Sequence, residues 1–174
     1  MNGTRYWGKY RATVVNNVDL EQRGRIQAIV PAVTGLTPSS WAMPCVPFAG
    51  KKSGFFAVPQ VGAAIWMEYE DGDPDKPIWV GGFWGLSAEM PAQALAPPPI
   101  PPGQNVVLQT TLQNAIVVSD SAPTPKSGGI LLKSTTGASI LVNDSGIYIS
   151  NGKGAEIMMV GKTITVNQGA LVIT

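Results

Sequence analysis

Residues 137–174 read GASILVNDSGIYISNGKGAEIMMVGKTITVNQGALVIT, a repetitive stretch of short apolar segments. Pairs of apolar residues two positions apart alternate with polar ones, which is the period of a strand with one buried face. Glycines recur between the pairs at spacings of nine, eight, seven and eight residues, at Gly137, Gly146, Gly154, Gly161 and Gly169. The pattern predicts a β-solenoid or β-prism with glycine at its corners.

Two inward side chains per strand form a stripe that is too narrow to make a core around one chain. We predict that three copies wind about a common axis, so that the apolar pairs meet in the middle and each strand edge finds a neighbour. The alternative, a monomeric solenoid of two sheets, usually has coils of roughly 18 or more residues. The predicted trimer core is Ile140, Val142, Ile147, Ile149, Ile157, Met159, Ile164 and Val166.

The segment that precedes the repeat, residues 86–105, reads LSAEMPAQALAPPPIPPGQN and holds six prolines. Proline cannot donate a hydrogen bond to a sheet and favours polyproline geometry, so we predict a semi-rigid spacer. A PxxP-type ligand for another domain is the alternative. The predicted organisation is therefore a domain at 1–85, a proline-rich linker at 86–105 and a second domain at 106–174.

The first 85 residues contain short apolar segments separated by turn signals such as NNVDLEQR and DGDPDKP. Apolar residues nowhere recur at helical spacing for more than about two turns. Five strands in this region suit a small OB-fold barrel, which makes the whole chain all-β. The predicted strands are Lys9–Val15, Gly24–Val30, Trp41–Phe48, Ala63–Glu70 and Ile78–Phe83.

Charge and residue usage exclude several classes of function. The chain has 12 Lys+Arg against 11 Asp+Glu, a net charge of +1 that is too small to hold nucleic acid or an anionic membrane. The sequence has no histidine, which is the commonest general base and a frequent metal ligand. We predict no enzyme activity, no cofactor and no metal. Charged residues make up only 13%, which favours a surface that binds protein partners.

Two groups of residues allow a second interpretation. The tryptophans could form a base-stacking platform, but their acidic neighbours would repel phosphate, so we predict core and subunit packing for Trp41, Trp66, Trp79 and Trp84. A D-x-D-x-D pattern begins like a calcium loop, yet Lys76 stands where such a loop needs glycine. We therefore predict a tight turn at Asp71, Asp73 and Asp75.

The start of the chain, MNGTRYWGKYR, lacks the apolar core of a signal peptide, and no stretch reaches 18 apolar residues. We therefore expect synthesis and folding in the cytoplasm. The lone Cys45 lies in the apolar run WAMPCVPF, where we expect a buried thiol. Lys51 and Lys52, in a loop flanked by glycine, form either a solvated tip or a docking patch.

The N-terminal region resembles the OB-fold domain of phage baseplate assembly protein V, which the central spikes of T-even phages share with the VgrG proteins of type VI secretion. The resemblance runs through GKYRATVVNN, RGRIQAIVP, WAMPCVPFAG and VPQVGAAIWMEYEDGDPDKPIWVGG. The C-terminal repeat is similar to the needle of the same spikes, a triple-stranded β-helix or β-prism of three intertwined chains. Together they imply a structural central spike of a contractile injection system, in a phage tail, a tailocin or an extracellular particle.

The resemblance also implies partners. A homotrimer would cap the inner tube through the hub protein of the baseplate, and its needle would pierce the target envelope with only transient membrane contact. Candidate hub contacts are Arg5, Tyr6, Trp7 and Lys9. The needle stops in mid-pattern, and we expect a PAAR-repeat tip protein to bind there, at Ala170, Leu171, Val172, Ile173 and Thr174.

This chain departs from the family in two features, and we do not predict for it the functions that depend on those features. The T-even spike has a lysozyme domain between barrel and needle, whereas this chain has only the proline-rich segment there. Some spikes close their tip with histidines that hold iron, which a chain without histidine cannot do. The alternatives are a type VI secretion spike, an OB-type binder of oligonucleotides or oligosaccharides, and an adhesin with a β-solenoid stalk, which would need an export signal.

Overall fold

The computed structural model describes residues 4–95, 105–120 and 128–173. The chain forms two compact units, Met1–Ser87 and Ala88–Thr174. Most of the prolines of the expected linker lie in residues 96–104, outside the described residues. The prediction of an all-β chain is confirmed: among the described residues the helical elements are two α-helical turns and three 3-10 turns, each of three or four residues.

The first unit contains a five-stranded sheet in the order β2-β1-β6-β7-β3, antiparallel except where β3 pairs with β7. All five predicted strands are present, although β2 and β3 are shorter than the sequence indicates. A two-stranded hairpin, β4 with β5, was missed because its residues are small and polar. The strands are β1 Tyr10–Asn16, β2 Gln27–Ile29, β3 Met43–Pro44, β4 Ala49–Gly50, β5 Ser53–Gly54, β6 Ala64–Tyr69 and β7 Pro77–Gly82.

The barrel core follows from the alternation of apolar residues along these strands. In β6 the side chains of Ile65 and Met67 are fully buried, and in β1 Val14 faces the same interior. The indole Nε1 of Trp79 donates a hydrogen bond of 3.1 Å to the carbonyl oxygen of Gly24, so this tryptophan is a core residue as predicted. The core comprises Ala12, Val14, Ile26, Ala28, Val30, Ala42, Ile65, Met67, Tyr69 and Trp79.

The structure corrects one local expectation for this unit, the burial of Cys45, and adds two details. The prediction of a buried thiol is wrong: Cys45 is exposed, because it follows the edge strand β3 on the outward side of the alternation that also exposes Met43. A single helical turn, α1 Pro31–Thr34, follows β2 where we expected only strands and loops. Gly24 is required by its φ of 73° rather than by lack of space, since its nearest neighbours would lie at ordinary contact distance from a Cβ.

An ion pair organises the loop between β1 and β2. The Asp19 carboxylate accepts hydrogen bonds from the backbone N–H groups of Glu21, Arg23 and Arg25, at 2.8–3.2 Å. The Arg25 guanidinium donates to the same carboxylate, with Nη2 at 2.7 Å from Oδ1, and lies over the ring of Trp41. The guanidinium holds the pKa of Asp19 well below its usual range.

We expect Asp19→Asn to lower the melting temperature of the barrel at pH 7, because the loop loses its charged acceptor. The folded pKa of Asp19 is depressed, so its contribution is present above the ordinary Asp value of about 4 and is lost as pH falls through the folded value. The difference between variant and parent should therefore shrink at strongly acidic pH. Thermal melts across the acidic range test this, with the exposed Asp75→Asn as control; an equal effect of both variants would contradict it.

The second unit is an antiparallel meander in which every strand pairs with its neighbour in the same chain. A single helical turn, α2 Ala92–Leu95, precedes it. The sheet has eight strands in the order β15 to β8, and hence follows the sequence order. They are β8 Asn105–Gln109, β9 Ala115–Ser119, β10 Gly129–Lys133, β11 Ser139–Asn143, β12 Gly146–Ser150, β13 Glu156–Val160, β14 Thr163–Val166 and β15 Leu171–Ile173.

Alternate turns of the meander lie side by side along one edge of the sheet. The backbone N–H of Thr135 donates to Asn114 Oδ1 at 3.2 Å, and the N–H of Glu156 donates to Asn167 Oδ1 at 3.1 Å, so neighbouring turns are joined by asparagine side chains. Gly152 lies against the backbone of Gly137 in the adjacent turn. Glycine is therefore required in this repeat for two reasons. One is the backbone conformation of the turn itself, and the other is the close contact between adjacent turns.

Gly152→Ala should destabilise the C-terminal sheet more than Gly161→Ala. Both glycines have a left-handed φ, 70° and 59°, which alone costs alanine about 1–2 kcal/mol. A Cβ at Gly152 would lie 2.7 Å from the carbonyl carbon of Gly137, whereas nothing lies within 4 Å of one at Gly161. The clash should add roughly 1–3 kcal/mol. Urea unfolding followed by circular dichroism measures both, and equal losses would refute the stacking argument.

Candidate functional site

One face of the eight-stranded sheet is apolar along its whole length. Residues that pair directly across antiparallel strands lie on the same face, as do alternate residues within a strand. The registers therefore join two apolar residues from every strand into two continuous columns, which we call the apolar face. Its residues are Val106, Leu108, Ile116, Val118, Ile130, Leu132, Ile140, Val142, Ile147, Ile149, Ile157, Met159, Ile164, Val166, Leu171 and Ile173.

The apolar face is largely open in the single chain. Its exposed side chains range from 37% accessible at Ile149 to 66% at Val106. The opposite face is different, because its central column is buried at Val117 (2%) and Leu141 (8%) and is flanked by small or polar residues. An uncovered apolar surface that runs across eight strands is far larger than a soluble single chain normally presents, and it marks a protein interface.

All eight residues of the predicted trimer core lie on the apolar face. The prediction missed the first three strands of the sheet, where the segments NVVLQ, AIVVS and GILLK show the same alternation before the glycine spacing begins. Their apolar pairs were detectable from that alternation. The residues missed are Val106, Leu108, Ile116, Val118, Ile130 and Leu132.

The predicted tip residues do not form a separate site in this unit. Leu171 and Ile173 pair with Val166 and Ile164 and so continue the two columns of the apolar face. Ala170 ends the turn before β15. The side chain of Val172 and the whole of Thr174 lie outside the described residues.

The predicted hub contacts lie on an N-terminal segment that is bound to the barrel. The N–H of Tyr6 donates to the carbonyl oxygen of Gly72 at 2.9 Å, and Arg5 donates to the carbonyl oxygen of Asp71 at 3.0 Å. Lys9 forms an ion pair with Glu68. Trp7, by contrast, has 68% of its surface accessible. Of the four predicted residues, Trp7 is therefore the one that presents a large apolar side chain to solvent.

A cluster of tyrosines anchors the same segment. The rings of Tyr6, Tyr10 and Tyr69 lie 5.7–6.0 Å apart, centroid to centroid. The Tyr69 hydroxyl is buried and has no hydrogen-bond partner among the described residues, and desolvation raises its pKa to about 12. Tyr69 is thus neutral at physiological pH, and the cluster acts through packing.

The outer face of the barrel sheet carries aromatic residues under a cation. The Arg11 guanidinium lies 5.1 Å from the ring centre of Trp66 and 4.8 Å from that of Phe83. Trp84 is exposed. The tryptophans therefore differ in burial: Trp79 is in the core, Trp41 and Trp66 are half-buried under arginine side chains, and Trp84 is exposed.

The acidic segment after β6 forms the predicted tight turn. The N–H of Asp73 donates to the carbonyl oxygen of Glu70 at 2.9 Å, and the N–H of Lys76 donates to that of Asp73 at the same distance. In the described part of the chain no three Asp, Glu or Cys side chains come together as metal ligands would. None of the described helices is long and apolar enough to span a membrane.

Comparison with protein families gives two matches, one within each of the two compact units. Residues 10–84 match a model of the type VI secretion system/phage-baseplate injector OB domain, and these residues contain the whole five-stranded sheet. Residues 105–172 match the phage baseplate V C-terminal trimerisation domain, and these residues carry nearly all of the apolar face. No curated protein matches the chain.

Proposed function

This chain belongs to the phage baseplate V family of injector proteins, as its resemblance predicted, and from that premise we propose that it is the central spike of a contractile injection system. The role is that of a baseplate or spike-like structural component, and the C-terminal domain assembles it as a homotrimer. The observation that supports the proposal most directly is the apolar face, which is exposed in one chain and has the extent that a trimer core requires.

The proposed mechanism is mechanical. Three apolar faces turned toward a common axis would exclude water from a core that runs the length of the needle. Each sheet is held by hydrogen bonds within its own chain, so bending the needle would require many of them to break together. Contraction of a sheath would drive this rigid shaft through the target envelope. We propose no catalytic step, and both matched families are structural ones.

Measuring mass and shape of the purified protein tests this role. We expect a particle of three times the chain mass of 18.3 kDa by light scattering, and a threefold rod with a wider head by electron microscopy. A monomer at micromolar concentration would contradict the proposal.

Contact with the hub is the second part of the proposal. We propose that Trp7 inserts into the hub protein, because the rest of its segment is bound to the barrel and this indole is exposed. Trp7→Ala should weaken binding to the hub at least about tenfold while the trimer remains intact, since exposed tryptophans often dominate interfaces. Pull-down with the hub protein of the same gene cluster tests it, with Leu36→Ala, which removes an apolar side chain that is even more exposed, as control. Equal retention of both variants would refute the role of Trp7.

Binding of a PAAR-repeat tip protein is the third part. We propose that it contacts β15 at Leu171 and Ile173, because β15 is the outermost strand of the sheet and pairs with a neighbouring strand on one side only. Leu171→Ser should abolish co-purification with such a protein and leave the trimer assembled, because the other strands still supply the core. If the Leu171→Ser variant still bound the tip protein, the contact site for that protein would not be Leu171.

The proposal covers a phage tail, a tailocin, an extracellular particle and a type VI apparatus. We also propose that residues 86–105 separate the two domains as a spacer. Limited proteolysis should cut there first; protection of this segment in the trimer would contradict the spacer role.

A further inference from the structure

The barrel has an apolar groove beside the β4–β5 hairpin that neither the trimer core nor the hub contact uses. Its volume is about 510 Å³, and much of its lining is aromatic or aliphatic. Phe55 is 43% accessible and Phe56 is 78% accessible, so the groove presents aromatic surface to solvent. Other apolar lining residues are Pro44, Val46, Val58 and Trp79. This is the composition of a binding site for an apolar side chain.

The charges at the groove have one sign. Arg23 and Lys52 are part of the lining, and no acidic side chain is among its residues. Arg23 is paired with Glu21 at 3.2 Å, whereas no acidic side chain in the described part of the barrel pairs with Lys52. A single unpaired ammonium group beside an apolar surface is complementary to one carboxylate. It supplies too little positive charge to bind a polyphosphate backbone.

The backbone at Lys52 supports a role for its side chain. Lys51 and Lys52 form the two-residue turn between β4 and β5, and Lys52 has a φ of 60°. Turn positions with a positive φ favour glycine or asparagine, so lysine is a costly choice here. A residue that is held in an unfavourable backbone conformation at the edge of a groove points to a side chain that is needed there.

We propose that this groove binds a segment of a partner protein in which a carboxylate side chain stands next to an apolar one. The apolar side chain packs in the groove against Phe55 and Phe56, and the carboxylate pairs with Lys52 at the rim. Charge complementarity selects this occupant, because a basic or neutral apolar segment would leave the Lys52 ammonium without a partner. The inference adds a peptide-binding site to the spike and does not depend on which injection system contains it.

The test uses the intact trimer and a short fluorescent peptide that alternates Glu with Leu and Phe. Fluorescence anisotropy should show saturable binding that is lost when Lys replaces Glu in the peptide. Lys52→Glu should weaken binding by about tenfold or more, whereas Lys51→Glu should not, because Lys51 does not line the groove. Phe56→Ala should also weaken binding.

A second variant separates binding from folding. Lys52→Gly relieves the positive φ, so it should leave the melting temperature unchanged or raise it while it weakens peptide binding by about tenfold. Equal effects of Lys51→Glu and Lys52→Glu, or unchanged affinity in Lys52→Gly, would overturn the proposal. Tighter binding of single-stranded oligonucleotide, or of a peptide with the proline-rich sequence of residues 96–105, would overturn it in favour of those ligands.

Discussion

Ile157→Asp should prevent the trimer from forming. Ile157 lies on the apolar face and is 39% exposed in the single chain, so in the trimer its side chain would be covered by the other two copies. A carboxylate buried there without a partner costs several kcal/mol, and the trimer would bury three of them. We expect a species of the mass of one chain by light scattering at micromolar concentration, where the parent is trimeric.

The same strand supplies a matched control. Val160 is 43% exposed, close to the exposure of Ile157, but it lies on the opposite face of β13 because the two residues are three positions apart, an odd number. Val160→Asp should therefore remain trimeric. Dissociation of both variants, or of neither, would show that the apolar face is not the trimer interface.

Ile65→Ala should strongly destabilise the barrel. Ile65 is fully buried near the start of β6, and truncation of a buried isoleucine removes apolar contacts and leaves a cavity, at a cost of about 2–5 kcal/mol. All five tryptophans of the chain lie in the barrel unit, so their fluorescence reports its unfolding alone. The midpoint of urea unfolding measured by fluorescence should fall, while the trimer should persist through the C-terminal sheet.

Leu20→Ala is the appropriate control, because leucine and isoleucine lose the same number of carbon atoms on truncation to alanine and Leu20 is 90% exposed. Its effect on the unfolding free energy should lie within about 0.5 kcal/mol. If both variants unfolded at the same denaturant concentration, burial of Ile65 would not account for barrel stability.

The apolar face and the groove differ in how far they could be predicted. The face consists of side chains that alternate along each strand, so eight of its members were identified from a period of two. The groove is lined by residues from the β1–β2 loop, β3, the hairpin and β7, which are distant in the sequence. Their proximity depends on how the barrel folds, and the sequence showed only that Lys51 and Lys52 lie in a loop flanked by glycine.

Sequence by itself determined the all-β class and the family, since both depend on local alternation and on motifs in a fixed order. Only the tertiary structure decided that the strands of the C-terminal sheet pair within one chain, that Leu171 and Ile173 continue the apolar face, and that Cys45 is exposed. Strand register and the side of a sheet that a residue faces are set by pairing between strands. Alternation in one strand does not specify that pairing.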